Sequence, residues 1–154
     1  MQDEAYATSG LQDTLVAVWQ GDPNAARVNA LGEQLRVLAG RNDQRVYLLN
    51  VITATTAVPS AEARTSLQRH FAAMRGKIIG AAIVMEKTGV EGTLSRAVLT
   101  TLLTITRQPF PMKLFAVRRD AAVWLNSRGC TASSVSLVSL VESLEQKLRA
   151  SRAP

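Results

Sequence analysis

The chain is poor in the residues that usually announce chemistry. It has one cysteine and one histidine in 154 residues. With Cys130 alone, no intrachain disulfide can form, and the natural setting is a reducing one. No Cys–His motif surrounds Cys130, so it reads as an ordinary small residue. His70 has no second His or Cys from which a metal set could be built, and it falls at the edge of an apolar helix face beside Phe71. Aromatics are scarce as well: three Phe, two Tyr and two Trp. No uninterrupted apolar run approaches the roughly 18 residues that a membrane span needs, and Ile78 to Met85 is far too short. No basic segment followed by an apolar run opens the chain; it starts Met1-Gln2-Asp3-Glu4. The expectation is a cytoplasmic protein without a signal peptide.

Familiar catalytic and nucleotide signatures are missing too. There is no Gly-x-Ser-x-Gly elbow and no Walker loop, and Gly76, Gly80, Gly89 and Gly92 do not form a dinucleotide fingerprint. The acids Glu33, Glu62, Glu86, Glu91, Asp120, Glu142 and Glu145 show no acid/base pairing in their spacing. An enzyme is therefore the least favoured class. No cofactor and no metal are expected.

What is present is an even, globular composition: 47% apolar and 19% charged residues. The net charge is +6 and the pI about 10.2. The bases are scattered rather than blocked. That admits anionic partners without selecting one. Scattered bases and few stacking aromatics count against nucleic acid.

Periodicity supplies the architecture. Thr14–Gln20 is apolar on both faces, as a doubly covered strand is. Asp22-Pro23 reads as a cap and first helical residue. A helix follows to about Ala39 with the stripe Val28, Leu31, Leu35 and Leu38, and Gly40 reads as its stop. Val46–Ile52 is a central strand by composition. Ser60 is the expected N-cap of a second helix, with Glu62 in its first turn and Ala63, Leu67, Phe71 and Met74 on its buried face. Gly76 ends it. Lys77–Met85 is a third strand.

A third helix is expected over Thr93–Thr106. Its small, weakly polar surface of Ser95, Thr100, Thr101, Thr104 and Thr106 suits packing on a partner or on the chain's own last helix. Lys113–Val117 is a fourth strand, and a short helix capped by Asp120 and closed by Gly129 follows it. An amphipathic helix covers Thr131–Arg149. Ala5–Thr8 is a candidate extra strand in a hairpin with the Thr14 strand.

The sum is an α/β domain with a mostly parallel sheet of four to five strands, helices packed on it, and an extra C-terminal helix. The organisation reads as an N-terminal segment over 1–10 with a short edge strand, an α/β domain over 11–129, and a C-terminal amphipathic helix and tail over 130–154.

Three stretches carry a family likeness: "LVAVWQGDPNAARVNALGEQL", "VYLLNVITATTAVPSAEART" and "PFPMKLFAVRRDAAVWL". Together they resemble the STAS fold of anti-sigma-factor antagonists and their SpoIIAA-like relatives, over roughly Leu11 to Gly129. They also resemble uncharacterised bacterial STAS-like proteins, some grouped with CRAL-TRIO lipid-binding domains. The resemblance implies a regulatory or interaction domain switched by phosphorylation at the start of the helix after the central strand. The matching region is Thr53 to Ser60. Here Thr55-Thr56-Ala57-Val58-Pro59-Ser60 stands where the family has an Asp-Ser-Ser-Gly-type sequence. Ser60 is the residue left for that role, as phosphosite or as plain N-cap.

Open α/β sheets bind ligands beyond the carboxyl ends of their strands. By that rule Asn50–Ser60, Glu86–Thr93 and Arg118–Asp120 come together, and the candidate interaction or ligand residues are Thr55, Thr56, Ser60, Glu86, Lys87, Arg118 and Arg119. Three functions follow in order. The first is a non-catalytic regulatory module with a protein partner, self-association included. The second is a binder of a lipid or another apolar or anionic small molecule. The third is a basic nucleic-acid-associated protein.

Overall fold

The computed structural model describes residues 5–21, 23–52, 60–86 and 109–152. Within them lie five strands and four helices. These are β1 (Tyr6–Leu11), β2 (Thr14–Trp19), α1 (Ala25–Gly40), β3 (Val46–Ile52), α2 (Ala61–Ala73), β4 (Ile78–Met85), β5 (Met112–Phe115), α3 (Arg118–Ser127) and α4 (Ser134–Arg152). The helix expected over Thr93–Thr106 falls outside the described residues.

The strands form one sheet in the order β1-β2-β3-β4-β5. β1 is antiparallel to β2 in a tight hairpin, with Tyr6 opposite Trp19 and Leu11 opposite Thr14. The other neighbours are all parallel. Every residue of β2 is buried, so the sheet has to be covered on both faces.

The two covers come from different parts of the chain. On one face Leu15, Ala17, Trp19, Leu48 and Ala81 pack with Leu31, Leu35 and Ala39 of α1 and with Phe71 and Met74 beside α2. On the other, Val16, Val18, Leu49, Val51 and Val84 pack with Ala121, Ala122 and Leu125 of α3 and with Leu137, Val141, Leu144 and Leu148 of α4. Strand order and helix placement explain each other. Parallel strands added in one direction by right-handed crossovers put α1 and α2 on the same face. Among the described residues, the opposite face is covered by α3 and α4. α4 is thus half of one face's cover.

Helix ends differ from expectation in three places. The N-cap of α1 is Asn24, whose side chain accepts from the Arg27 amide at 2.9 Å, rather than Asp22. Gly40 is still helical, and the left-handed residues of the turn are Asp43 and Gln44. A short polar side chain such as that of Asp43 tolerates that conformation in a turn, so glycine was not required at the stop. Asp120 lies in the first turn of α3 and does not cap it; the cap residue is Val117, with no side-chain bond. Gly76 and Gly129 do end their helices with positive φ, +79° and +105°.

One glycine sets a helix–helix distance. A Cβ on Gly32 of α1 would stand 2.3 Å from the His70 ring of α2. The missing side chain lets the ring lie against α1, where a ring nitrogen meets Asn29 Oδ1 at 2.8 Å. Gly32→Ala should therefore cost about 1–3 kcal/mol through overpacking, read by chemical denaturation. In a His70→Ala background the cost should largely vanish; an equal loss in both backgrounds would contradict the contact.

Candidate functional site

The parallel strands β2, β3, β4 and β5 end at Trp19, Ile52, Met85 and Phe115 on one rim of the sheet. Helices α1, α2 and α3 each follow a strand and so begin at that rim. Among the described residues, a polar cluster lies on each face of it.

On the α3/α4 face, Arg118 is the first residue of α3 and Glu86 the residue after β4. Arg118 Nε donates to Glu86 Oε2 at 2.9 Å, and its Nη2 reaches Glu86 Oε1. The same guanidinium donates to Glu145 of α4, with Nη2 to Oε2 at 3.1 Å and Nη1 to Oε1. One planar fork thus joins the end of a strand and two helices. The side chains are largely withdrawn from water, at 18% exposure for Arg118, 30% for Glu86 and 15% for Glu145. The hydrogen bonds it donates to the Glu86 and Glu145 carboxylates hold the guanidinium far above its ordinary pKa, so it stays charged at every pH the fold survives. Guanidinium geometry suits this double engagement, whereas an ammonium offers no such fork. Near the same rim, Gln20 Oε1 is buried without a donor.

On the α1/α2 face, Trp19 Nε1 donates to Asn50 Oδ1. Tyr6 stacks on Trp19 with ring centroids 4.3 Å apart, and its hydroxyl donates to Gln34 Oε1 at 3.2 Å. A buried indole needs an acceptor, and Asn50 is the polar residue in an otherwise apolar strand that supplies it.

The sequence-based candidates separate on this rim. Glu86 and Arg118 meet. Ser60 is exposed at the start of α2, its Oγ accepting from the Ala63 amide at 3.1 Å. It belongs to the opposite helical layer and takes no part in the Arg118 cluster. Arg119 is exposed next to Arg118 and stands outside the cluster. Thr55, Thr56 and Lys87 lie outside the described residues. Sequence reasoning missed Glu145. Its only signal was its place between Leu144 and Leu148, on the border of the apolar stripe of α4, where a carboxylate needs a partner.

Cys130 is buried after α3. Burial pushes its thiol up, with hydrogen bonds to Thr14 and Asn126 pulling part of the way back. Asn126 Nδ2 lies 3.1 Å from Sγ, and Sγ is 3.4 Å from the Ala132 carbonyl oxygen. Among the described residues, no cluster of three or more His, Cys, Asp or Glu could hold a metal ion, and no helix is long and apolar enough to cross a membrane.

No family model and no curated protein matches the chain. A solved structure does match: an uncharacterized protein of the DUF3478 family with a SpoIIAA-like fold, from Shewanella loihica PV-4. It is 17% identical, covers 79% of this chain and 92% of its own, and superposes with a TM-score of 0.49. The likeness is one of fold.

Two outcomes follow. Arg118→Met leaves two half-withdrawn carboxylates facing each other and should cost about 2–3 kcal/mol, below the range for fully buried pairs because water reaches the site; Arg118→Lys should recover only part of it. Denaturant melts check both, and a neutral Arg118→Met would show that the cluster adds nothing. Cys130 should react with a thiol reagent only as fast as the protein opens, so rapid stoichiometric labelling under native conditions would contradict its burial.

Proposed function

We propose that this chain is a non-catalytic regulatory module of STAS-like type that works by binding another protein. The observation that carries the reading is the state of Arg118. Among the described residues its guanidinium is a partly buried cation at the strand ends, and it is held on both sides by carboxylates of its own chain. Such a cluster fixes the position of α3 and α4 against the rim and engages four of the guanidinium's five N–H donors within the chain. The single thiol is buried with a raised pKa, and the single histidine bonds Asn29 between two helices. These chemistry-bearing side chains serve the fold, and the exposed start of α2 is, among the described residues of the rim, a surface open to recognition.

Regulation, on this reading, acts at Ser60. A phosphate there would replace one hydroxyl acceptor with several charged oxygens at the positive end of α2, and would change the charge of the rim without disturbing the core.

The test places a photo-crosslinking residue at Glu62, exposed in the first turn of α2, in the cells that make the protein. A discrete protein adduct, reproduced on irradiation and reduced by Ser60→Asp, is the expected result. Native mass spectrometry of the same material provides the second arm. A stoichiometric small-molecule mass with no adduct at Glu62 would overturn the reading in favour of a ligand binder.

A further inference from the structure

We propose that β1 is the interface through which two copies of this chain join into a continuous ten-stranded sheet. The proposal names a partner for the interaction module described above and rests on that reading only in this sense, because the surface is a different one from the start of α2.

β1 is an edge strand. The Gln20 amide donates to the Ala5 carbonyl at 2.8 Å, so in the antiparallel ladder Ala5, Ala7, Ser9 and Leu11 direct their backbone groups toward β2. Thr8 and Gly10 then direct theirs outward. Exposed edges are normally blunted by charge, proline or a bulge. Tyr6–Leu11 carries no charge and no proline, and its register with β2 is unbroken over all six pairs. Its middle residues, Ala7, Thr8, Ser9 and Gly10, are small.

The surface beside this edge fits itself. α1 runs parallel to β1, with Gln34 bonded to Tyr6 near one end and Leu38 against Gly10 near the other. A groove of about 260 Å³ lies between them, lined by Thr8, Gly10, Glu33, Val37, Leu38 and Arg41 among others. Glu33, Val37 and Arg41 are spaced four apart and so share one helix face. Val37 is an exposed large apolar side chain, at 39%. An antiparallel β1 pair has its twofold axis perpendicular to the sheet, which keeps both α1 helices on the same face and runs them in opposite directions.

With Ser9 opposite Ser9 across the axis, Thr8 faces Gly10 and each exchanges backbone hydrogen bonds with the other. Val37 then lies near its own counterpart. Glu33 of each copy lies toward Arg41 of the other. Glu33 also pairs with Arg36 of its own helix, an exposed and therefore weak ion pair, so its carboxylate can be shared with an incoming Arg41; acid, aliphatic and base along this face are then complementary about a twofold axis. On the opposite face α4 overlies β1 and β2. The flank of α4 turned away from Glu145 carries Ser136, Leu140 and Ser143, two of them small enough for a second α4 to approach.

The experiment measures self-association by sedimentation velocity across the micromolar range on the full chain. Wild type should show a concentration-dependent dimer. Val37→Glu places a carboxylate at the axis and should weaken the dimer at least about tenfold. Its site on an exposed helix surface leaves folding intact. Thr8→Pro removes an outward N–H while keeping the ladder to β2, and should do the same. Glu33→Arg should weaken association, and Glu33→Arg with Arg41→Glu should restore it.

Ser9→Cys should form a disulfide-linked dimer under mild oxidation, since residues opposite each other at a non-hydrogen-bonded position lie within disulfide reach. A wild type that stays monomeric throughout, a dimer indifferent to Val37→Glu, or a Ser9→Cys dimer that fails to cross-link would each overturn the proposal. None of these results bears on the adduct at Glu62, so this interface and the regulatory reading fail separately.

Discussion

Strands β2 and β3 cannot face water on either side. Val16, Val18, Leu49 and Val51 point one way, Leu15, Ala17 and Leu48 the other, and all are at most 4% exposed. Burying an aliphatic side chain of this size stabilises the fold by about 1.5–3 kcal/mol, and leaving one face bare would forfeit that for a whole row. The chain must therefore provide two helical layers. The crossovers between parallel strands build one layer, α1 and α2, on a single face. Among the described residues the other layer comes from the chain after β5: α3 and α4 supply it, and α4 runs back across the sheet to β1.

That second layer lacks the close connections of the first. α3 and α4 belong to no crossover between described strands, so their placement depends on side chains. At one end Asp13, in the β1–β2 turn, accepts from the Thr131 amide at 3.1 Å, and Tyr47 donates to the Arg128 carbonyl at 2.8 Å. At the other end Arg118 ties Glu86 to Glu145. The layer is pinned at both rims of the sheet, and the apolar stripe between the pins fills the space. An ion cluster at this place is better understood as positional than as a large source of stability. Withdrawing three charges from water costs much of what their attraction returns, but a displaced α4 would leave them unpaired.

This division explains what the sequence made legible. Strand and helix positions were readable because burial on two faces writes continuous apolar runs, as in Val46–Ile52, and burial on one writes the four- and three-residue spacing of Leu137, Val141, Leu144 and Leu148. Helix ends were less so. Asn24 and Asp22 are both good caps two residues apart, and only the path of the chain chooses between them. Asp120 has the right chemistry for a cap but sits inside the first turn. The Arg118 cluster was half legible. Glu86 and Arg118 follow strands that end on the same rim, so topology brings them together. Glu145 comes from a helix whose direction across the opposite face had no local signal. The Thr14–Trp19 strand, similarly, revealed its burial but not that the Asn50 side chain would satisfy its indole.

The order of strands that forces two helical layers also leaves β1 as it is. β1 enters by a hairpin and runs against its neighbour, so no crossover helix among the described residues lies beyond it, and α1 and α4 reach it with their flanks. The outward backbone groups of Thr8 and Gly10 can pair with water or with another strand. A sheet usually resolves that choice with a charge or a proline at the edge. Here the charges stand one layer up, on α1, as Glu33 and Arg41 on either side of Val37. Placed there, they do not prevent a strand from approaching the edge. On the proposed pairing they would select which strand approaches, because a second copy of this chain brings its Arg41 toward Glu33.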